Sequence, residues 1–532
     1  MLPRPAGLPV GVRDFAWRDK GDGPIDGSNH VVGRLFYPAD PQSARRRWPA
    51  AAPSWIGSLG YAAGYVQFAF FSARTLKLRV IKRVLQAVIW VQGTLARLPV
   101  TLGAPLARPG GADAADTANG NGRSGGGNSS SSGGGAAGRW PVVIFSPGAA
   151  ANRNTYSCIC TELASRGCFV AAIEHADGSS GAARLADGSF LLFQGLGSGA
   201  VLEAKGEYRA AEVAAAVELL RGINAAGAAP EGSFSLSGGD QDAALAELKG
   251  ALDLSRLAVI GHSCGGATAA LAAARCPDVA VAVALDPWWP ILPTGSPALT
   301  GWLPGCRAPL LVVGSDDWNT PRADGSMPCD AKRQAAVLEA ARRRDGPEGG
   351  AGGGALLLVP SHSKHQTFSD VPVLIERSAL ARGVLSVMGF KQQQPMSAEA
   401  ALRLICDCCA RFCREHYRPG GSEWPCEGAG GDAAGEAAAV AVAAAGGAQE
   451  PAGARGDRAG GGFATDEAAE AEAEAAARVA VAAPPPPHHS SDPAPHGSAA
   501  RPLPVRRDEA GAGSFYGRLQ EDGLLRIVQA FE

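Results

Sequence analysis

Residues 257–277, LAVIGHSCGGATAALAAARCP, decide how the rest of the chain is read. Leu257, Ala258, Val259 and Ile260 form a short apolar run of the kind that makes a buried strand. Gly261-His262-Ser263-Cys264-Gly265 follows, and then a stretch of small residues with helical propensity. Strand, sharp turn and helix, with serine at the apex, is the G-x-S-x-G nucleophile elbow. The glycines have a steric reason. A serine at the apex sits in strained backbone, and its neighbours two residues away must be small so that strand and helix can approach. The helix then directs its free N–H groups at a reacting carbonyl. Ser263 is therefore the candidate nucleophile.

The chain has 532 residues and a 46 % hydrophobic content, enough for one large core. Its formal net charge of -2 gives no basis for nucleic-acid binding. With 71 Gly and 38 Pro the composition calls for non-globular inserts. The 12 cysteines lack the spacing of a disulfide scaffold, and a core of this size needs none. Residues 1–20 have no apolar signal core, and no charge-free run reaches the roughly 18 apolar residues of a membrane span. The expectation is a cytoplasmic protein, at most peripheral to membranes.

Outward from the elbow, strands and helices alternate. NHVVGRLFYP (29–38) reads as an early strand. VVIF (142–145) is a strand, Ser146-Pro147-Gly148-Ala149 a turn, Asn152–Arg166 a helix and Cys168–Ala172 a strand. That βαβ unit implies a parallel sheet. Helices are expected over Glu207–Ile223 and Asp242–Leu252, with strands at Val279–Leu285, Pro309–Val313 and Ala355–Val359. Two further helices fall near Val371–Val387 and Ala398–His416. The fold class is α/β, an α/β-hydrolase, occupying residues 1–426 with a flexible Gly/Ser-rich insert at 109–138. Residues 427–514 read as a disordered Ala/Gly/Pro-rich tail, and 515–532 as a short helix.

Arg74–Leu98 is unusual: six basic residues and no acid. On a helical wheel Ile81, Val84, Leu85, Val88, Val91 and Leu95 share one face. Arg79, Lys82, Arg83, Gln86 and Arg97 lie opposite, with Trp90 among them. The segment suits a lipid–water interface, with Lys82, Arg83 and Trp90 as contacts. It equally suits a surface helix packed on the sheet with its basic face in water.

A serine nucleophile needs a base and an acid to orient it, in the chain order Ser, acid, His for this fold. His362 and His365 both follow the strand ALLLV, whereas His416 falls late in a helix. Asp286 ends one strand; Asp316 and Asp317 follow another. Cys406, Cys408, Cys409, Cys413 and His416 share a helix, but a fourth ligand on one face is missing, and buried cysteine is the simpler reading. No metal or cofactor is expected.

Several blocks, in order, resemble the platelet-activating factor acetylhydrolases of the plasma and intracellular type II family. They are LPVGVRDF (8–15), GRLFYP (33–38), VVIFSPGAAANRNTYSCICTELASRGCFVAAIEHADGSS (142–180), LDLSRLAVIGHSCGGATAA (252–270), ALDPWWPI (284–291) and KHQTFSD (364–370). The resemblance implies a metal-independent phospholipase that removes acetyl or short oxidised acyl groups from the sn-2 position. It implies Ser263 as nucleophile, Asp286 as acid and His365 as base. The oxyanion hole would be the N–H groups of Cys264 and Ala149. It reads Glu174-His175-Ala176-Asp177 as an ion-pair and hydrogen-bond latch. Two positions differ: Pro147 stands where the family has His, and Cys264 where it has Phe, a side chain that would border the acyl pocket. A broader carboxylesterase or dienelactone-type hydrolase using Asp316 or Asp317 is the rival enzyme, and a silent lipid-binding protein the rival from another class.

Overall fold

In a computed structural model the described residues are 1–21, 25–69, 71, 76–109, 138–292, 308–322, 328–342, 354–379, 381–383, 396–417, 519 and 525–531. The insert at 110–137, the tail at 427–514, Arg74 and residues 384–387 lie outside them.

The chain opens with an antiparallel pair, β1 (Val10–Arg18) and β2 (His30–Pro38), followed by helices α1 (Pro41–Arg47), α2 (Leu59–Ala69) and α3 (Leu76–Leu95). After β3 (Thr101–Leu102) come β4 (Trp140–Ser146), α4 (Ser157–Ser165), β5 (Phe169–Glu174) and a hairpin, β6 (Ala182–Arg184) and β7 (Phe190–Leu192). Helix α5 (Ala200–Ala226), β8 (Ser233–Leu236) and α6 (Gln241–Leu248) lead to β9 (Leu252–His262) and α7 (Cys264–Arg275). Then follow β10 (Val279–Leu285), β11 (Leu310–Val313), α8 (Ala331–Arg342), β12 (Ala355–Pro360), α9 (Val371–Arg377), α10 (Ala398–His416) and β13 (Leu525–Phe531).

The main sheet runs β13-β12-β11-β10-β9-β4-β5-β2-β1-β3, with β8 also on β1. Its centre, β12 through β5, is parallel, and β13 and β2 close it antiparallel on the two sides. Alternation along the central strands divides the core in two. Val142, Ile144, Leu257 and Val259 face the layer of α5 and α7, while Val143, Phe145, Ala258 and Ile260 face α4 and α10. Strands buried on both faces read as unbroken apolar runs, which is why these were legible. From β4 the chain steps one way to β5 and later the other way to β9. Ligand crevices form at such a reversal, at the carboxyl ends of the strands. This is the α/β-hydrolase arrangement.

Two expectations change. Of the segment 515–532 expected as a C-terminal helix, Leu525–Phe531 runs instead as β13, antiparallel to β12 from Ala355↔Phe531 to Pro360↔Leu525, while residues 515–518 and 520–524 lie outside the described residues. LRIVQAF carries adjacent β-branched Ile527 and Val528, and a lone helix that short is marginal, whereas the β12 edge supplies a ladder of backbone partners. The second change concerns α3. It packs through Gly93, where an added Cβ would meet Ile56 at 2.8 Å, with Lys82 and Gln86 half-buried. Its apolar side is the one turned to solvent: Val80, Ile81, Val84, Val88, Val91 and Leu95 are exposed, Leu95 by 70 %. A packed surface helix would bury that side, so the orientation is opposite to that reading.

Candidate active site

Ser263 stands between β9 and α7 with φ 56° and ψ −123°, a left-handed conformation that L-residues adopt only when the surroundings enforce it. Those surroundings are backbone. A Cβ at Gly261 would lie 2.1 Å from the Gly265 carbonyl oxygen, and one at Gly265 would lie 2.0 Å from that of Ser146. No larger residue fits at either position. The Ser263 N–H donates to the Leu285 carbonyl (2.9 Å), and the Ser263 carbonyl accepts from Trp288 N–H (3.0 Å). The elbow is thus fastened on both sides of Asp286.

Asp286 is buried, with φ 38°. Its Oδ2 accepts from His365 Nδ1 at 2.6 Å and from Ser315 Oγ at 2.7 Å, and its Oδ1 accepts from the Ser315 N–H at 2.7 Å. His365 opens a short 3-10 turn after β12. Its ring is stacked by Trp318 at 3.9 Å and 11° on one side and met by His262 at 4.5 Å. Asp316 is engaged elsewhere: it accepts from the His362 N–H (3.1 Å) and from Thr320 Oγ1 (3.0 Å), and pairs with Arg526 (3.3 Å). Asp286 thus meets the ring of His365, whereas Asp316 meets His362 through its backbone N–H.

The turn after β4 comes alongside the elbow. Its amides are taken one by one: Gly148 N–H donates to Tyr156 Oη (3.1 Å), Ala150 N–H to Ser179 O (2.8 Å) and Ala151 N–H to Gly148 O (3.4 Å). Ala149 lies between them. Burial pushes the Cys264 thiol up to about 11 against the pull of Arg209 and the Ala149 N–H. The turn meets the elbow at Gly148, where an added Cβ would lie 3.1 Å from Ser263 Cβ. Pro147 contributes only its carbonyl, which accepts from Arg209 Nη1 at 2.9 Å.

Beneath this turn the Glu174–Asp177 segment is laced to α5. His175 Nε2 lies 2.7 Å from Ser146 Oγ, and His175 Nδ1 lies 2.6 Å from Glu212 Oε2. Arg209 pairs with Asp177 at 3.2 Å and donates to Ser179 Oγ at 2.8 Å. Burial drives the His175 imidazole well below its ordinary range and the Glu212 carboxyl well above, so both shifts remove charge from the interior.

Among the described residues, the His, Cys, Asp and Glu side chains close enough to share an ion are His262, Asp286 and His365. Their inward atoms are already paired, His365 with Asp286 and His262 Nδ1 with Tyr156 Oη at 2.9 Å. Cys406, Cys408, Cys409 and Cys413 are buried in α10 and form no disulfide, with no such grouping among the described residues. Sequence reasoning missed Tyr156, Ser315 and Trp318. Only the last had a signal, an aromatic one residue after Asp316-Asp317 at a strand end.

The family described as platelet-activating factor acetylhydrolase, isoform II, matches residues 128–418 of this sequence. The chain belongs to that family. Curated relatives named platelet-activating factor acetylhydrolase include one from Canis lupus familiaris, 32 % identical over 196 residues, which are 34 % of this chain and 41 % of the relative. Another, from Cavia porcellus, is 34 % identical over 159 residues, 28 % of this chain and 35 % of the relative. The chain thus spans under half the length of these relatives. Among solved structures, a ferulic acid esterase from Streptomyces cinnamoneus aligns with a TM-score of 0.47 and 20 % identity, over 80 % of this chain and 95 % of that one. In this acetylhydrolase family member, Ser263, Asp286 and His365 all lie within the matched span.

Proposed function

We propose that this chain is a serine carboxylic ester hydrolase working through an acyl-enzyme on Ser263. The observation that carries the proposal is the 2.6 Å bond from His365 Nδ1 to the buried Asp286 carboxylate, beside a serine in strained elbow backbone. Serine hydroxyls are weak nucleophiles at neutral pH and require such a base. Nδ1–H on Asp286 fixes the tautomer, leaving Nε2 to take the Ser263 proton and later return it to the leaving alcohol. The N–H groups of Cys264 and Ala149 would stabilise the tetrahedral oxyanion, each by roughly 3–4 kcal/mol. No residue in this scheme needs a metal or cofactor.

The substrate we infer is a phospholipid with a short sn-2 acyl group, of the platelet-activating factor type, approached at a lipid surface. Family membership supports the lipid class, and the solvent-facing apolar side of α3 supports the surface. Among the described residues no helix is long and apolar enough to cross a membrane. Peripheral contact, with Val84, Val88 and Val91 entering the lipid and Arg83 and Trp90 at headgroup level, is the mode consistent with these exposures.

Hydrolysis of a soluble acetyl ester and of a short sn-2-acyl phospholipid, with and without anionic vesicles, tests both parts. Fluorophosphonate labelling should report Ser263. Turnover of the soluble ester alone would favour a general carboxylesterase, and no turnover or labelling would leave only a lipid-binding protein.

A further inference from the structure

Asp370 lies five residues beyond His365 and takes no part in the chemistry proposed above, yet it is completely buried. Its Oδ1 accepts from the Cys158 N–H (2.9 Å), and its Oδ2 accepts from the Ser157 N–H (2.8 Å) and from Trp55 Nε1 (2.9 Å). Its own N–H donates to the Thr155 carbonyl (2.8 Å). The carboxylate therefore sits on the first turn of α4, where unpaired amides and the helix dipole favour an anion. Burial nevertheless pushes the carboxyl up to about 7, against the pull of those donors. A group held at that cost has a positional reason.

What it joins is specific. Tyr156, immediately before α4, bonds the Gly148 amide of the oxyanion turn and His262 beside the nucleophile. Between His365 and Asp370 the chain is one tight 3-10 turn, whose Phe368 is buried and stacks on His262 at 5.5 Å and 18°. Trp55, the third donor, stacks on Tyr65 of α2 and backs Gly93 of α3. A second link runs from Ser378 Oγ, just past α9, to Gln92 Oε1 of α3 (3.1 Å). One carboxylate thus meets the base-bearing turn, the helix behind the oxyanion turn and the foot of the apolar helix.

We propose that Asp370 is a positioning residue for the general base, fixing the His365 turn against α4 and tying it to the seat of α3. This rests on His365 being the base. The backbone bonds it makes are rigid enough that its loss would shift the imidazole relative to Ser263 without touching the substrate-binding surface. Misplacement of a catalytic group by about 1 Å can cost on the order of 100-fold in rate.

The test compares full-length Asp370→Asn, Trp55→Phe and His365→Ala on a soluble acetyl ester, with active sites counted by fluorophosphonate and folding followed by thermal melting. Asp370→Asn should lower kcat by about 10- to 100-fold while KM stays within about twofold, since orientation and not binding is lost. Trp55→Phe removes one donor and keeps the α4 bonds, so kcat should fall about fivefold, the weight of one hydrogen bond. A folded Asp370→Asn with unchanged kcat and only a lower melting temperature would make Asp370 a helix cap and overturn the proposal. If that variant does not fold, Trp55→Phe decides, and an unchanged kcat there overturns it equally. Near-normal turnover by His365→Ala would instead bring down the assignment of the base, a separate failure.

Discussion

Two serine–histidine–carboxylate sets stand on neighbouring strands of this sheet. Ser146, His175 and Glu212 make both bonds of a relay, at 2.7 and 2.6 Å, and the three residues are 0–1 % exposed. Ser263, His365 and Asp286 share the same residue types, but the serine is 9 % exposed and strained, and the histidine side chain is 14 % exposed. The difference teaches that hydrogen-bond connectivity does not make a reactive site. Ser146 ends a regular strand, and no substrate carbonyl can reach it. Ser263 is lifted out of the strand by backbone that only glycine neighbours permit, at a helix N-terminus where negative charge is stabilised. In the proposed function the closed set is scaffolding for the turn carrying Ala149, and the open one is the set that meets a substrate.

Exchanging alanine for each serine is the strongest way to break this comparison. Ser263→Ala should lower kcat by about 10⁶ and abolish fluorophosphonate labelling, as loss of a triad nucleophile does. Ser146→Ala should keep labelling at Ser263 and instead cost about 1–3 kcal/mol of stability, because His175 loses a buried partner. Labelling lost with Ser146 and kept without Ser263 would invert the assignment.

The acids separate next. Asp286→Asn should cost about 10⁴ in kcat through the wrong histidine tautomer. Glu212→Gln, Asp316→Asn and Asp317→Asn should each leave kcat within about tenfold, because none of them orients the proposed base. Steady-state kinetics on a soluble ester distinguishes these outcomes, and a larger loss at Asp316 would restore the dienelactone-type alternative.

Arg209→Met sharpens the scaffolding half. It strands Asp177 in the interior, so chemical denaturation should show a loss of about 3–5 kcal/mol. It also frees the Pro147 carbonyl, and any residual kcat loss in the folded fraction measures what that clamp contributes to the oxyanion turn.

Helix α3 touches neither set and serves as the control. Val84→Asp with Val91→Asp should weaken sedimentation with anionic vesicles by about 10- to 100-fold, since the two half-exposed valine side chains together have about 1.5–3 kcal/mol of burial left to gain. Lys82→Glu with Arg83→Glu should have a smaller effect that fades with salt, at about 1 kcal/mol per charge. Soluble-ester turnover should be unchanged in both pairs. Equal loss of turnover would make α3 part of the catalytic frame alone.

How far the sequence carried this picture follows from where each signal resides. The central strands were readable because burial on both faces left uninterrupted runs such as LAVI and VVIF. The elbow was readable because its sterics demand glycine at fixed spacing. The choice of Asp286 over Asp316 was not readable from local pattern, since both acids end strands; the resemblance alone favoured it, and the bond to His365 is a tertiary fact. Tyr156 and Ser315 were invisible for the same reason. The apolar and basic faces of α3 were legible as a pattern, but not which face would be turned outward. That was set by Gly93, whose missing side chain lets Ile56 and Trp55 close in on the opposite side.

Strand β13 gives this fold a particular order of assembly. Helix α10 ends at residue 416, and the strand that closes the sheet beside β12 begins at 525, roughly a hundred residues later. At about 5–20 residues per second, a ribosome takes on the order of 5–20 s to cross that interval. Throughout it, β12 lacks the partner that covers its edge in the finished molecule, and an open edge is a template for pairing with another chain. The body of this protein therefore exists before its sheet is sealed, and the interval between the two is written into the length of the intervening sequence.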